Sequence, residues 1–135
     1  TALPTMERSD YPEVSYGVME GIVSGMAGIQ TDASKQQIRT LPRLTTETEW
    51  MHLQYLPVLG GSISVRHDHT NKTTFKSHIA QPVTWKAVFP GSYTSISCNG
   101  KRRPATMETD VLGNVYSYVT LEVKPETQVV AICEK

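Results

Sequence analysis

The sequence predicts a mainly β protein, an antiparallel sandwich or jelly roll of about eight strands with a short N-terminal helix. Two observations support this fold class. After Gly28, apolar and polar residues alternate with a period of two, as they do in half-buried strands. Turn-forming pairs separate these stretches, and one of them, Asn99-Gly100, suits a two-residue hairpin because both residues tolerate positive φ.

The only helical pattern lies in residues 11–28, where Val14, Val18 and Ile22 recur every four residues. Three glycines recur at the same spacing, and each lowers helix propensity by about 1 kcal/mol relative to alanine. We therefore expect a short helix that forms only against a partner surface. Residues 1–10 show no periodicity and are interpreted as a linker or frayed terminus.

Three stretches show the clearest strand pattern, and residues 129–133 form a shorter, more uniformly apolar strand. The residues predicted to share one face are Ile63, Val65 and His67 in the first stretch, Val83, Trp85, Ala87 and Phe89 in the second, and Val115, Val119, Leu121 and Val123 in the third. The weaker strand candidates are residues 36–41, 50–55, 73–79 and 93–98.

Composition limits the function classes. Thirteen basic and thirteen acidic residues cancel, which argues against a nucleic-acid partner. No apolar stretch approaches the ~20 residues of a spanning helix, so we expect no membrane span. The sequence lacks a phosphate-binding loop, a dinucleotide fingerprint, a nucleophile elbow and a zinc-binding helix motif, and we expect no cofactor.

Histidines and cysteines are the candidate metal ligands in this sequence. His67 and His69 are two residues apart, and on a continuing strand they would share a face, but the residues after His67 have the composition of a turn. We favour the turn and expect no metal site. Cys98 and Cys133 lie in apolar, strand-like stretches without metal-ligand spacing. They are interpreted as buried thiols, with a single disulfide as the alternative.

Aromatic residues could form a stacking platform for sugars. Tyr116 and Tyr118 are the best candidates, because they share the strand face opposite the valines. Trp85 lies on the apolar face of its strand and is predicted to belong to the core. The remaining aromatic candidates are Trp50, Tyr55 and Tyr93.

The carboxylates offer no candidate for glycoside hydrolysis, which needs two of them at a defined separation. Glu47, Glu49, Glu108 and Asp110 lie in loop-like sequence and are interpreted as solvated loop charges. We therefore predict no catalytic residue in this chain.

Several motifs follow one another between residues 21 and 65. They are the glycine-rich run Gly21–Ile29, then Asp32, Ile38, the run Leu41–Leu44, Trp50, Leu53 and the run Gly60–Val65. Their order resembles the junction in six-hairpin (α/α)6 glycosidases, where the catalytic barrel passes into a C-terminal β-sandwich. The closing run Val119–Val130 is similar to the terminal strand pair of α-L-rhamnosidase-like members.

The resemblance implies a division of labour. In these enzymes the acid and base carboxylates come from barrel loops, and the C-terminal sandwich stabilises the barrel as a cap. Residues 1–28 would then comprise a linker and a short helix at the end of a preceding helical barrel, and residues 29–135 the sandwich. The implied partner is that barrel in the same chain. The alternatives are an autonomous carbohydrate-binding module and a structural or interaction sandwich, since this architecture serves many roles.

Overall fold

The computed structural model describes residues 5–8, 27–44 and 47–134. Within them, twelve strands form two sheets, and Ala33–Lys35 make one turn of 3-10 helix. The two sheets agree with the predicted β-sandwich. The predicted number of about eight strands was too low. The strands are β1 (Thr5–Arg8), β2 (Gln30–Asp32), β3 (Gln37–Thr40), β4 (Trp50–Val58), β5 (Gly61–Asp68), β6 (Lys72–Ser77), β7 (Val83–Pro90), β8 (Ser95–Cys98), β9 (Lys101–Pro104), β10 (Thr106–Thr109), β11 (Val115–Val123) and β12 (Gln128–Glu134).

The larger sheet, sheet A, has seven strands in the order β1-β4-β5-β6-β12-β8-β9. The smaller sheet, sheet B, has five in the order β10-β11-β7-β3-β2. Among the described strands, only β3 and β7 pair in parallel. The chain crosses between the sheets repeatedly, for example from β6 to β7 and on to β8, so the two sheets share one core.

An aromatic pair joins the sheets at the centre of this core. The ring of Phe75 on β6 stacks on the ring of Trp85 on β7, with centroids 4.8 Å apart and planes at 11°. Both side chains are fully buried. The indole N–H of Trp85 donates to Thr40 Oγ1 over 2.9 Å, which satisfies its one polar atom. The prediction that Trp85 belongs to the core is confirmed.

The residues predicted to face inward in β5 and β7 are buried, and Val88, on the opposite face of β7, is buried as well. In β11, Val119, Leu121 and Val123 are buried as predicted, but Val115 is exposed. The reason is its position: β7 pairs with β11 only from Tyr116 onward, while Val115 pairs with Thr109 at the end of the β10–β11 hairpin. Val115 therefore extends past the edge of the core.

The β8–β9 hairpin confirms the predicted two-residue turn. Asn99 and Gly100 have φ values of 51° and 82°, as a hairpin turn of this type requires. The strands β9 and β10 were missed in the sequence, because their side chains are mostly exposed and show no apolar alternation.

The N-terminal part contributes to the sandwich where it is described. Thr5–Arg8, interpreted from the sequence as linker, pair with β4 as an edge strand of sheet A. The predicted helix in residues 11–28 lies outside the described residues except for Ala27 and Gly28. Ala27 is fully buried, and Gly28 has φ +57°, where an added Cβ would collide with the backbone oxygen of Leu41. These two residues are therefore part of the sandwich, although the predicted boundary placed them before it.

Candidate functional sites on the two outer faces

Tyr116 and Tyr118 lie half-buried on the outer face of sheet B, as their position in the alternation predicts. The ammonium of Lys86 lies 4.2 Å from the centroid of the Tyr118 ring. The same ammonium is 3.3 Å from Glu108 Oε2, and Arg39 NH2 is 3.5 Å from Glu108 Oε1. Glu108 therefore bridges two cations. It lies in strand β10, not in the loop that the sequence predicted. The Tyr118 ring face already carries a cation from its own protein.

Tyr116 is held differently. Its hydroxyl donates to Asp110 Oδ2 over 3.1 Å, and its ring lines a cleft with Leu41 and Pro90. Tyr118 instead lines a separate cleft beside Arg103. The structure therefore places the two tyrosines on one face but in different clefts. Their contact with carbohydrate stays a prediction.

Asp110 organises the loop between β10 and β11. Its Oδ1 accepts hydrogen bonds from the backbone N–H groups of Leu112 and Asn114, both at 2.9 Å. Its Oδ2 accepts from Asn114 Nδ2 at 3.1 Å. These hydrogen bonds, with the Asn114 backbone N–H contributing most, hold the pKa of Asp110 below its ordinary value. The ordered loop leaves Val111 and Leu112 101% and 83% exposed.

Sheet A has a β-bulge where β4 pairs with β5. Leu53 pairs with Val65 and Leu56 with Ile63, so that Gln54 and Tyr55 both lie opposite Ser64. The extra residue turns Tyr55 outward, where its side chain is 58% exposed at a φ of +55°. Bulges of this kind re-aim a side chain and are frequent beside functional sites.

Hydrogen bonds fix the surroundings of the bulge. The backbone N–H of Tyr55 donates to Ser64 Oγ over 3.2 Å, and Ser64 Oγ is 3.2 Å from His78 Nε2. His78 Nδ1 is 3.1 Å from Glu126 Oε2. One consistent arrangement satisfies all three contacts: Nδ1–H donates to the carboxylate and Nε2 accepts from the Ser64 hydroxyl. The rings of Tyr55 and His78 are in contact, with centroids 5.0 Å apart.

A groove of about 400 Å³ crosses the outer face of sheet A. Amide, hydroxyl, imidazole and cationic side chains line it together with the Tyr55 ring. Its two cations have carboxylate partners: Arg66 binds Asp68 at 3.1 Å, and Lys76 lies 3.8 Å from Glu126. Tyr55 is one of the aromatic candidates in the sequence, where Tyr116 and Tyr118 are preferred to it. The sequence signal for the bulge was that Leu53 and Leu56 are three residues apart, which breaks strict alternation.

The two histidines considered as metal ligands are separated. His67 is fully buried, its Nε2 donates to Ala27 O at 2.9 Å, and its Nδ1 is 2.8 Å from Thr73 Oγ1. Burial lowers the pKa of His67 to about 4. His69 has a φ of 54° in the β5–β6 turn, which confirms the turn prediction. In the part of the chain that the structure describes, no three His, Cys, Asp or Glu side chains group as metal ligands would.

Cys98 and Cys133 are free and buried, which confirms the interpretation as thiols. They lie on paired strands but not opposite each other, since Cys98 faces Ala131 and Cys133 faces Ile96. Burial raises the pKa of Cys133 to about 12 and also raises that of Cys98. Both thiols are therefore poor nucleophiles at neutral pH.

Comparison with family models and with curated proteins found no match, so the functional proposal depends on the sequence and on the geometry described above. In residues 27–44 and 47–134, no helix is long and apolar enough to cross a membrane.

Proposed function

We propose that this chain is the non-catalytic C-terminal β-sandwich of a glycoside hydrolase-like protein and that it caps a catalytic (α/α)6 barrel of the same chain. The order of the junction motifs along the sandwich carries this proposal. The glycine-rich run leads into β2, the run Leu41–Leu44 directly follows β3, Trp50 lies in β4, and Gly61–Val65 lie in β5. The resemblance implies a glycine-rich turn, a strand, a P-x-L segment and two further strands at such a junction. In the described residues two short strands, β2 and β3, precede the P-x-L segment.

Two of the four candidate carboxylates, Glu108 and Asp110, have contacts that support a non-catalytic role. Glu108 bridges Arg39 and Lys86, and Asp110 accepts hydrogen bonds that hold a loop. A general acid must instead carry a proton near neutral pH, which requires a raised pKa. The hydrogen bonds to Asp110 act in the opposite direction.

The β10–β11 loop is the part of the sandwich best suited to contact a barrel. Val111 and Leu112 are almost fully exposed, and Asp110 orders the loop before any contact forms. An ordered apolar tip loses little conformational entropy on docking, which favours its burial against a second body.

The coding sequence upstream of Thr1 provides the decisive test. We expect several hundred residues with the pattern of paired helices, and their absence would overturn the cap role. A second measurement uses the chain alone with a panel of aryl glycosides. We expect no turnover, and turnover abolished by substituting one Asp or Glu of this chain would contradict the proposal.

The alternative roles predict different behaviour in solution. An autonomous carbohydrate-binding module would bind glycans through Tyr116 and Tyr118, and Ala substitution of either tyrosine would weaken that binding. An interaction sandwich would bind neither glycan nor barrel. The Lys86 ammonium over Tyr118 disfavours the first alternative at this face, because a sugar would have to displace it.

A further inference from the structure

The outer face of sheet A combines an exposed aromatic ring with a polar groove. We propose that this groove, built around Tyr55, Ser64 and His78, is a binding site for a neutral saccharide. The inference is independent of the cap role, because it concerns a different face and needs no barrel.

The position of Tyr55 is the first support. A non-glycine residue at a φ of +55° is strained, and the bulge gives up regular pairing to keep it there. The result is an exposed ring packed against His78, on a backbone whose N–H donates to Ser64 Oγ. A ring held in this way presents a fixed apolar surface, which can stack on the C–H face of a pyranose at little entropic cost.

The polar lining is the second support. Gln54, Thr74 and Gln128 lie along the groove, and their amides and hydroxyls both donate and accept hydrogen bonds. Sugar hydroxyls also do both, so this mixture matches a polyol. A volume of about 400 Å³ falls within the roughly 300–1,000 Å³ of small-molecule sites.

The charges that line the groove favour a neutral saccharide over an anionic one. Arg66 is paired with Asp68, and Lys76 with Glu126, so the cations of the groove are already compensated. A phosphate or sulfate would have to compete with these carboxylates, and it would lie close to their negative charge. A neutral ligand meets no such penalty. The geometry therefore favours a neutral sugar over an anionic one.

The experiment screens the chain on an array of neutral oligosaccharides and titrates the best glycan by calorimetry. We expect Tyr55→Asn to weaken binding by about tenfold or more, since central aromatic contacts dominate such sites. Asn tolerates the left-handed backbone and so keeps the bulge while removing the ring. Tyr55→Phe should bind within about threefold of the parent chain, because the stacking ring remains. Tyr118→Ala on sheet B should leave the affinity unchanged.

Three outcomes would overturn the proposal. The first is an array on which no neutral glycan binds. The second is binding that survives Tyr55→Asn and is lost in Tyr118→Ala, which would move the site to sheet B. The third is competition of the glycan with sodium sulfate at constant ionic strength, which would identify an anion site. Circular dichroism of each variant separates lost binding from lost folding. None of these outcomes bears on the upstream sequence that tests the cap role.

Discussion

Tyr118 and Tyr55, on the two outer faces of the sandwich, are in opposite states. On sheet B, Lys86 covers the Tyr118 ring, and Asp110 binds the Tyr116 hydroxyl. On sheet A, a bulge turns Tyr55 outward, its backbone N–H donates to Ser64 Oγ, and its ring contacts the ring of His78. Sheet A also has a cation over an aromatic ring, since the guanidinium carbon of Arg66 lies 4.6 Å from the centroid of Trp50. An aromatic residue on a solvated strand face is therefore not by itself a binding surface. Its availability depends on which charged neighbours the sheet register brings to it.

Acid should produce the largest effect, because it acts on the core that both faces share. The pKa of His67 falls from 6.5 to about 4 on burial, so between these pH values the unfolded chain takes up a proton that the folded chain does not. The free energy of unfolding should therefore decrease as pH falls from 6.5 to 4, by about 3 kcal/mol. Urea unfolding across this range, with probes on both faces, measures it.

The control for the acid effect is His67→Gln, which can still donate to Ala27 O and accept from Thr73 but does not titrate in this range. Its stability should vary much less with pH. If one face lost its structure at a higher pH than the other, the two faces would not share one cooperative core.

Deleting Tyr55 should remove the exposed aromatic ring of sheet A with little change in the free energy of unfolding. Without it, Gln54 would pair with Ser64, while Leu53 and Leu56 would keep their inward partners Val65 and Ile63. Loss of a strained residue should leave the free energy of unfolding unchanged or raise it by about 1 kcal/mol. Thermal unfolding tests this, and a large destabilisation would mean that the bulge is needed for folding.

Glu108→Gln tests the charge network of sheet B. The substitution removes the carboxylate shared by Arg39 and Lys86 and should lower the free energy of unfolding by about 0.5 kcal/mol, since the pairs are partly exposed. The loss should shrink in high salt. Glu122→Gln, an exposed residue on the same sheet face, is the matched control. An equal effect of both substitutions would assign the loss to net charge.

Leu112→Asp should have the smallest effect on the chain alone. Its side chain is 83% exposed, so the free energy of unfolding should change by less than about 0.5 kcal/mol. In the full protein of the proposed cap, the same change should lower the melting temperature. Thr127→Asp, in the turn at the opposite end of β11, is the control. An equal shift for both variants would argue against this loop as the docking tip.

Local sequence patterns were enough to predict strands and turns whose conformation depends on residues adjacent in the sequence. The alternation from Val83 to Ala87 is that of a strand with one buried face, and Asn99-Gly100 has the positive φ values of its hairpin. The turn after His67 also followed from its composition. Near the N terminus, periodicity missed β1, which exists through its pairing with β4.

Which side chains lie next to each other across strands depends on the register between distant segments, and only the tertiary structure shows it. Nothing local to Tyr118 indicates that Lys86, from another strand, lies over its ring. Strict alternation would turn Tyr55 inward beside Met51 and Leu53, and only the pairing of β4 with β5 turns it outward. Sequence alone thus determined the fold class and several turns, because these arise from local backbone preference and burial of one face. Which aromatic rings stay accessible was decided by strand order and register, because the groups that cover a ring come from other strands.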